Sequence, residues 1–192
     1  MSNRVGPLAG MLTGAARYAL AALGGLGACQ ALAGPSAIEL EIMQNAEIGL
    51  AEAVALAERE LDGGRVIEAE LDEDDDMYFY KLEVMGGDGL WLVYVNPASG
   101  MVVGRRAPGL VTGAVRDEGR QKAEAVAAAG TSMVQALGIA ERSTGGKAID
   151  IELQRDNGTY FYEVETIQPN LEHKLEIDSG SGGRILDFDE DD

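Results

Sequence analysis

One segment of this chain occurs twice, and the repeat restricts the possible folds more than any other sequence feature. Gly63-Gly64-Arg65 returns as Gly145-Gly146-Lys147, an offset of 82 positions from Gly63 to Gly145. The same offset carries Tyr78-Phe79-Tyr80 onto Tyr160-Phe161-Tyr162 without a gap. Self-similarity of this length indicates one supersecondary unit used twice.

Each copy predicts an amphipathic helix followed by antiparallel strands. Leu50, Val54, Ala57 and Leu61 follow helical spacing, and the glycine pair after them would end the helix. Period-two alternation then predicts strands around a hairpin turn, which in the second copy is Asn157-Gly158, a type I′ dipeptide. The alternation places these residues on the core face: Ile67, Ala69 and Leu71, and their counterparts Ile149, Ile151 and Leu153. We therefore predict an α+β fold of two similar units, each a helix packed on a three- to four-stranded antiparallel sheet.

The order of these elements resembles that of the PepSY domain family. The most diagnostic run is Val95-Asn96-Pro97-Ala98-Ser99-Gly100-Met101-Val102-Val103, an Asx-x-x-x-Gly turn followed by aliphatic residues. The second copy keeps Ile177-Asp178 and Gly182 but ends differently, in Gly183-Arg184-Ile185. The resemblance implies an extracytoplasmic accessory module, of the kind found in propeptides of thermolysin-type metallopeptidases and thought to restrain peptidases. The resemblance does not imply any set of catalytic residues in this chain.

The repeat also sets the expected domain limits: repeat 1 over 48–104 and repeat 2 over 129–189. Residues 34–47 form an N-terminal segment whose pattern fits a strand or a helix. Residues 105–128 form a linker that contains a helix, predicted from Ala114 to Ala129. We expect the basic residues of this connector to neutralise acidic strand faces.

Residues 1–33 are typical of an export signal. They contain no acidic residue, and an apolar run precedes Ala31-Leu32-Ala33, which predicts a signal peptide cleaved before Gly34. Leu26-Gly27-Ala28-Cys29 resembles a bacterial lipobox, so lipidation of Cys29 is an alternative, and an uncleaved anchor is a third. Each alternative places the folded part outside the cytoplasm, in the periplasm or secreted. Cys29 is the single cysteine, so no intramolecular disulfide can form.

The chain is strongly acidic, with 33 Asp and Glu against 15 Lys and Arg, for a net charge of −18. Such a charge repels nucleic-acid backbones and anionic lipid headgroups. We therefore expect neither a nucleic-acid partner nor membrane contact, apart from an N-terminal lipid or signal anchor. Each unit is too small to bury much core alone, so the two are expected to pack together or the chain to form a homodimer.

The third strands differ between the copies in a way that indicates a binding surface. Leu90, Leu92 and Tyr94 are predicted on the outward face, where the second copy has Glu172, Lys174 and Glu176. Phe79 is predicted on the same face. Clustered outward apolar residues are typical of an interface, so Phe79, Leu90, Leu92 and Tyr94 are the candidate partner-binding residues. The alternative is that the segment before residue 48, the second repeat or another copy covers them.

The sequence gives little support for a cation site or a catalytic site. Asp72, Asp74 and Asp76, with Glu83, have spacing similar to an EF-hand loop, but Met77 occupies the position that requires glycine. A solvated acidic hairpin is therefore expected, with weak cation binding as the alternative. The sequence does not supply the histidine base of a catalytic triad, because His173 is the only histidine and aligns with the core-facing residue Trp91. No catalytic residue and no cofactor are predicted.

The sequence thus predicts a periplasmic or secreted, non-enzymatic protein that binds another protein, with a peptidase that it restrains as a candidate partner. The alternatives are an extracytoplasmic calcium-binding protein and a lipid-anchored structural protein of the envelope.

Overall fold

The computed structural model describes residues 37–74, 77–107 and 113–191, and it contains the same series of elements twice. Each series has two helices followed by four strands. The first comprises α1 (Ala37–Asn45), α2 (Leu50–Glu60), β1 (Arg65–Asp74), β2 (Met77–Gly86), β3 (Gly89–Val95) and β4 (Val102–Arg106). The second comprises α3 (Gly113–Ala128), α4 (Met133–Thr144), β5 (Lys147–Asp156), β6 (Thr159–Gln168), β7 (Leu171–Asp178) and β8 (Ile185–Asp191). The predicted α+β class with two helix-on-sheet units is confirmed.

The two units share a single antiparallel sheet. Its strand order is β4-β3-β2-β1-β5-β6-β7-β8, and the units join where β1 pairs with β5. At this seam Ala69 lies opposite Ile151, and both side chains are fully buried. The predicted packing of the units against each other therefore takes the form of a continuous sheet.

Helices α2 and α4 cover one face of the sheet, which we call the inner face. The residues predicted for the helix stripes are buried against it: Leu50, Val54 and Ala57 in α2, and Met133, Leu137 and Ala140 in α4. One core cluster joins these helices to the inner-face side chains of both units. We call the opposite side of the sheet the outer face.

A β-bulge at the start of each unit changes the predicted alternation. The register shifts between Val66 and Glu68, so Ile67 is the extra residue of the bulge. Ile67 packs with Met85 and Ala123 in a second cluster, away from the inner-face core on which the sequence pattern places it. The same shift occurs between Ala148 and Asp150, around Ile149. The predicted position of Ile67 on the inner face was therefore wrong, because a bulge moves one residue out of period, whereas Ile149 packs against the main core cluster.

The last tyrosine of each Tyr-Phe-Tyr run hydrogen-bonds the backbone just before the core helix of its own unit. Tyr80 donates its hydroxyl proton to the carbonyl of Ile48 at 3.0 Å, and Tyr162 donates to the carbonyl of Thr131 at 3.1 Å. Both tyrosines are fully buried, and burial raises the pKa of Tyr162 to about 12. The repeat of this aromatic motif therefore reflects a structural hydrogen bond made twice.

The leading helix of each unit lies beside the other unit. Helix α3 packs on β1, β2 and β3 of the first unit, so closely that a Cβ on Gly119 would collide with the end of the Met85 side chain. Helix α1 lines one cleft together with Gly146 and Ile167 of the second unit. The N-terminal segment, whose pattern fitted a strand or a helix, thus contains the helix α1. The helix predicted in the connector is present as α3.

The predicted turn chemistry is also present. Asn157 and Gly158 have φ values of 48° and 84°, which a type I′ turn requires. Gly145 ends α4 in the left-handed conformation, with φ 74°. Within the described ranges no single helix is long and apolar enough to cross a membrane; α4 and the part of α3 from Asp117 meet that criterion only as a pair bent by 73°.

Candidate functional site

The predicted partner-binding residues lie together on the outer face of β2 and β3. The register places Leu90, Leu92 and Tyr94 on the side opposite Trp91, Val93 and Val95. Phe79 and Tyr94 contact each other edge to face, with ring centroids 6.3 Å apart. Phe79, Leu92 and Tyr94, which we call the apolar patch, are each half-buried and so expose apolar surface.

Leu90 differs from the apolar patch because α3 covers it. It packs against Ile67, Met85 and Ala123, the last of which belongs to α3. Part of the outward apolar surface is therefore buried by the leading helix of the second unit. Leu90 contributes to attachment of this helix, and a substitution there would disturb the fold.

Beside the apolar patch, the outer face carries a dense group of carboxylates around the seam, which we call the acidic layer. Glu68 lies opposite Glu152 across β1 and β5, and Glu70 lies opposite Asp150. Within each unit the pattern continues on the neighbouring strand. The acidic layer consists of Glu68, Glu70, Glu83, Asp150, Glu152, Glu163 and Glu165.

Three lysines partly neutralise this layer. Lys81 contacts Glu70 at 2.5 Å, and Lys174 contacts Glu163 at 2.7 Å. Lys122 of α3 forms an ion pair with Glu152. For Lys122, this is the neutralisation of acidic strand residues that was expected of the connector. Seven carboxylates against three lysines leave the layer with an excess of acid.

Burial, together with this excess of acid, raises the pKa of several carboxyl groups in the layer. Burial, reinforced by Glu83, Glu152 and Glu70, raises the pKa of Glu68 from 4.5 to about 7. Burial also raises the pKa of Asp150 well above its usual range, with Glu165 and Glu68 adding to the shift. The pKa of Glu83 and the pKa of Glu165 are raised as well, again chiefly by burial. Part of the layer is therefore protonated near neutral pH.

The predicted cation-binding residues only partly fall within the described structure. Asp72 and Asp74 lie on β1, whereas Asp76 is outside the described residues. The Asp72 carboxylate lies 3.8 Å from the Lys81 ammonium, which already supplies a positive charge. Among the described residues, no group of three His, Cys, Asp or Glu side chains is arranged to hold a metal ion.

His173 occupies the inner face where the first unit has Trp91, as the sequence alignment predicted. It is buried and lies against the Phe188 ring, with centroids 5.4 Å apart. Its Nδ1 atom is 3.6 Å from a Glu190 carboxylate oxygen and has no hydrogen-bond partner among the residues that the structure describes. This environment is that of a sheet residue filling the edge of the core.

Sequence reasoning missed the acidic layer as a unit. Alternation predicted Glu68, Glu70, Asp150 and Glu152 on a solvated face opposite the core. The register confirms that they lie opposite the core, but Glu68 and Asp150 are shielded enough from solvent for burial to raise their pKa values. The pairing of β1 with β5, which brings the two sets together, has no signal in either strand alone. The positive charge of Lys122 on the connector was the one sequence feature that indicated a group of carboxylates on the strands that α3 covers.

The fold defines a class: two copies of a helix-on-sheet α+β module that share one sheet. The chain belongs to the PepSY family, because the model for the peptidase propeptide and YPEB domain matches residues 47–106 and 132–182. The resemblance stated from the repeat is thereby confirmed.

A solved structure shares this fold. It is a crystal structure described as "a putative lipoprotein" from Clostridium difficile 630, with 15% sequence identity and a TM-score of 0.50. The match covers 78% of this chain and 97% of the other. At this identity the likeness shows the fold alone. Among curated proteins, the comparison gave no match.

Proposed function

We propose that this chain is an extracytoplasmic, non-enzymatic PepSY protein that binds another protein through the apolar patch of its first unit. The observation that carries the proposal is the difference between two copies of one module. At positions equivalent to Leu92 and Tyr94, the second unit has Lys174 and Glu176. The same fold therefore accepts charge at these positions, so the first unit does not need apolar groups there for stability.

The chemistry around the patch supports a protein as the partner. Phe79, Leu92 and Tyr94 expose aromatic and aliphatic surface beside the acidic layer. Aromatic anchors surrounded by polar residues are typical of protein interfaces, and the acidic surroundings favour a partner with basic residues near its apolar contact. The family description names peptidase propeptides, so a peptidase that the chain restrains is the first candidate.

Export is the second part of the proposal, and it depends on residues 1–33. A signal peptide cleaved after Ala33, or lipidation at Cys29, would place the sheet outside the cytoplasm; both residues lie outside the described ranges. The similar fold of a protein described as a lipoprotein supports the same location. Mass spectrometry of the mature N-terminus distinguishes the two, and a lipidated Cys29 would favour the envelope-anchored alternative.

Exchanging the patch residues for their second-unit counterparts tests the binding proposal. We expect the double variant Leu92→Lys, Tyr94→Glu to lose capture of the partner from an envelope extract by about tenfold or more, because interface anchors dominate binding energy. The double change leaves the net charge unaltered. Quantitative mass spectrometry of captured proteins, combined with a metallopeptidase activity assay of the captured fraction, measures the effect.

The matched control is the reciprocal exchange, Lys174→Leu with Glu176→Tyr, which leaves the first unit untouched. Capture by this control should equal capture by the unmodified chain. If the first-unit variant retains its circular dichroism spectrum and captures the same proteins in the same amounts, the apolar patch is not the binding surface.

The calcium-binding alternative gives a separate prediction. We expect titration with calcium to about 1 mM to produce no saturable heat, because Lys81 already lies beside Asp72 and weak sites require more free carboxylates. Isothermal titration calorimetry of the full chain measures this. A saturable heat that disappears in the variant Asp72→Asn would instead favour the cation-binding function.

A further inference from the structure

The shared sheet ends in two edge strands of opposite charge. In the described part of the chain, β4 pairs with β3 alone and β8 pairs with β7 alone, so each leaves one row of backbone groups without a strand partner. Strand β4 ends in exposed Arg105 and Arg106, whereas β8 carries exposed Asp187, Asp189 and Glu190. The edges also expose apolar side chains, Val103 at 50% and Phe188 at 43%.

The strand directions make these two edges compatible with each other. All seven neighbouring pairs in the eight-stranded sheet are antiparallel, so β4 and β8 run in opposite directions. A second copy shifted along the sheet without rotation therefore presents its β4 antiparallel to β8 of the first copy. Its helices then lie on the same side as those of the first copy.

We propose that β8 of one molecule pairs with β4 of a second copy of this chain, which extends the sheet from molecule to molecule. Arg106 pairs with Leu92, and so lies on the outer face. Asp187 and Asp189 pair with Glu176 and Lys174 on the same outer face. Because side chains alternate along a strand, every register that keeps the faces aligned places Arg106 among aspartates of β8.

Like edges are disfavoured in the same contact, because pairing two β4 strands joins two basic edges and pairing two β8 strands joins two acidic edges. The contact is therefore head to tail. Each added molecule leaves one basic edge and one acidic edge free, so the assembly grows with concentration instead of stopping at a symmetric dimer.

The variant Arg106→Glu tests this contact in the full chain. Sedimentation velocity should show the unmodified chain increasing in average mass between about 10 µM and 1 mM, since a short edge contact is weak. Arg106→Glu should weaken this self-association about tenfold or more. Arg59→Glu, the same change at an exposed arginine of α2, should leave it unaltered. All variants share residues 1–36, so any association through that segment is common to every arm.

A mixing experiment makes the test specific for unlike edges. On the outer face, Arg106→Glu has acidic residues at both edges, and the double variant Asp187→Lys, Asp189→Lys has basic residues at both edges, so each alone should associate about tenfold more weakly than the unmodified chain. An equimolar mixture should associate, because every contact in it can join an acidic edge to a basic one. The proposal is overturned if the unmodified chain is monomeric throughout the concentration range, if Arg106→Glu associates like Arg59→Glu, or if the mixture fails to associate.

Discussion

The variant Ile151→Ala is expected to destabilise both units together by about 3 kcal/mol, the typical cost of an aliphatic deletion in a packed core. Ile151 is fully buried at the seam, opposite Ala69 of the first unit. The core cluster is continuous from α2 to α4 and includes inner-face side chains of both units. A cavity in the second unit should therefore weaken the first.

The position of Trp91 makes this coupling measurable. It is the only tryptophan and lies on β3 of the first unit, so its fluorescence reports unfolding of the unit that does not contain the substitution. In urea, the fluorescence and circular dichroism transitions of Ile151→Ala should shift together to lower concentration. The exposed control Val134→Ala should shift neither by more than about 0.5 kcal/mol. A Trp91 transition that stays at its original midpoint would show that the units fold independently.

The variant Glu68→Gln should stabilise the chain at pH 8 by about 2 kcal/mol and have little effect at pH 4. Ionising a carboxyl whose pKa rises from 4.5 in the unfolded chain to about 7 in the fold costs the fold about 3 kcal/mol, which residual solvent exposure reduces. Glutamine keeps a neutral side chain in the same place. The repulsion from Glu83 and Glu152 is thereby removed.

The sign of the pH dependence follows from the same shift. Between about pH 4.5 and 7 the folded chain holds the Glu68 proton while the unfolded chain has lost it, so the free energy of unfolding falls as pH rises through this window. Asp150, Glu83 and Glu165 shift in the same direction. Urea unfolding at pH 4, 6 and 8 measures the slope, with Glu52→Gln at an exposed helix position as the control. A stability that rises toward pH 8, or an equal effect of the two substitutions, would contradict the acidic layer as described.

Local patterns predicted the elements well because each depends on residues near one another in the chain. Helical spacing from Leu50, the Asn157-Gly158 turn and the alternation around Ile151 each specify backbone geometry over a few residues. The bulges at Ile67 and Ile149 were missed, because both residues continue the apolar alternation of their strands in the sequence, so the pattern gives no sign of an extra residue. The seam was missed because the pairing of Ala69 with Ile151 depends on two segments far apart in sequence.

The candidate site was predictable only where the two copies could be compared. Alignment of Leu92 with Lys174 and of Tyr94 with Glu176 identified the outward face, and the structure places these residues there. Alignment could not show that α3 covers Leu90, because this contact joins segments far apart in the chain and depends on tertiary packing. The acidic layer likewise requires the seam, and so follows from tertiary structure alone.

Side-chain footprinting of the chain with its captured partner tests the central claim most directly, since the claim concerns one of two equivalent surfaces. Phe79 in the first unit and Phe161 in the second occupy matching positions on β2 and β6, which makes each the control for the other. Binding should lower the labelling of Phe79, Leu92 and Tyr94 and leave Phe161 unaltered. Equal protection of both phenylalanines, or protection of Phe161 alone, would contradict a binding surface formed by the first unit.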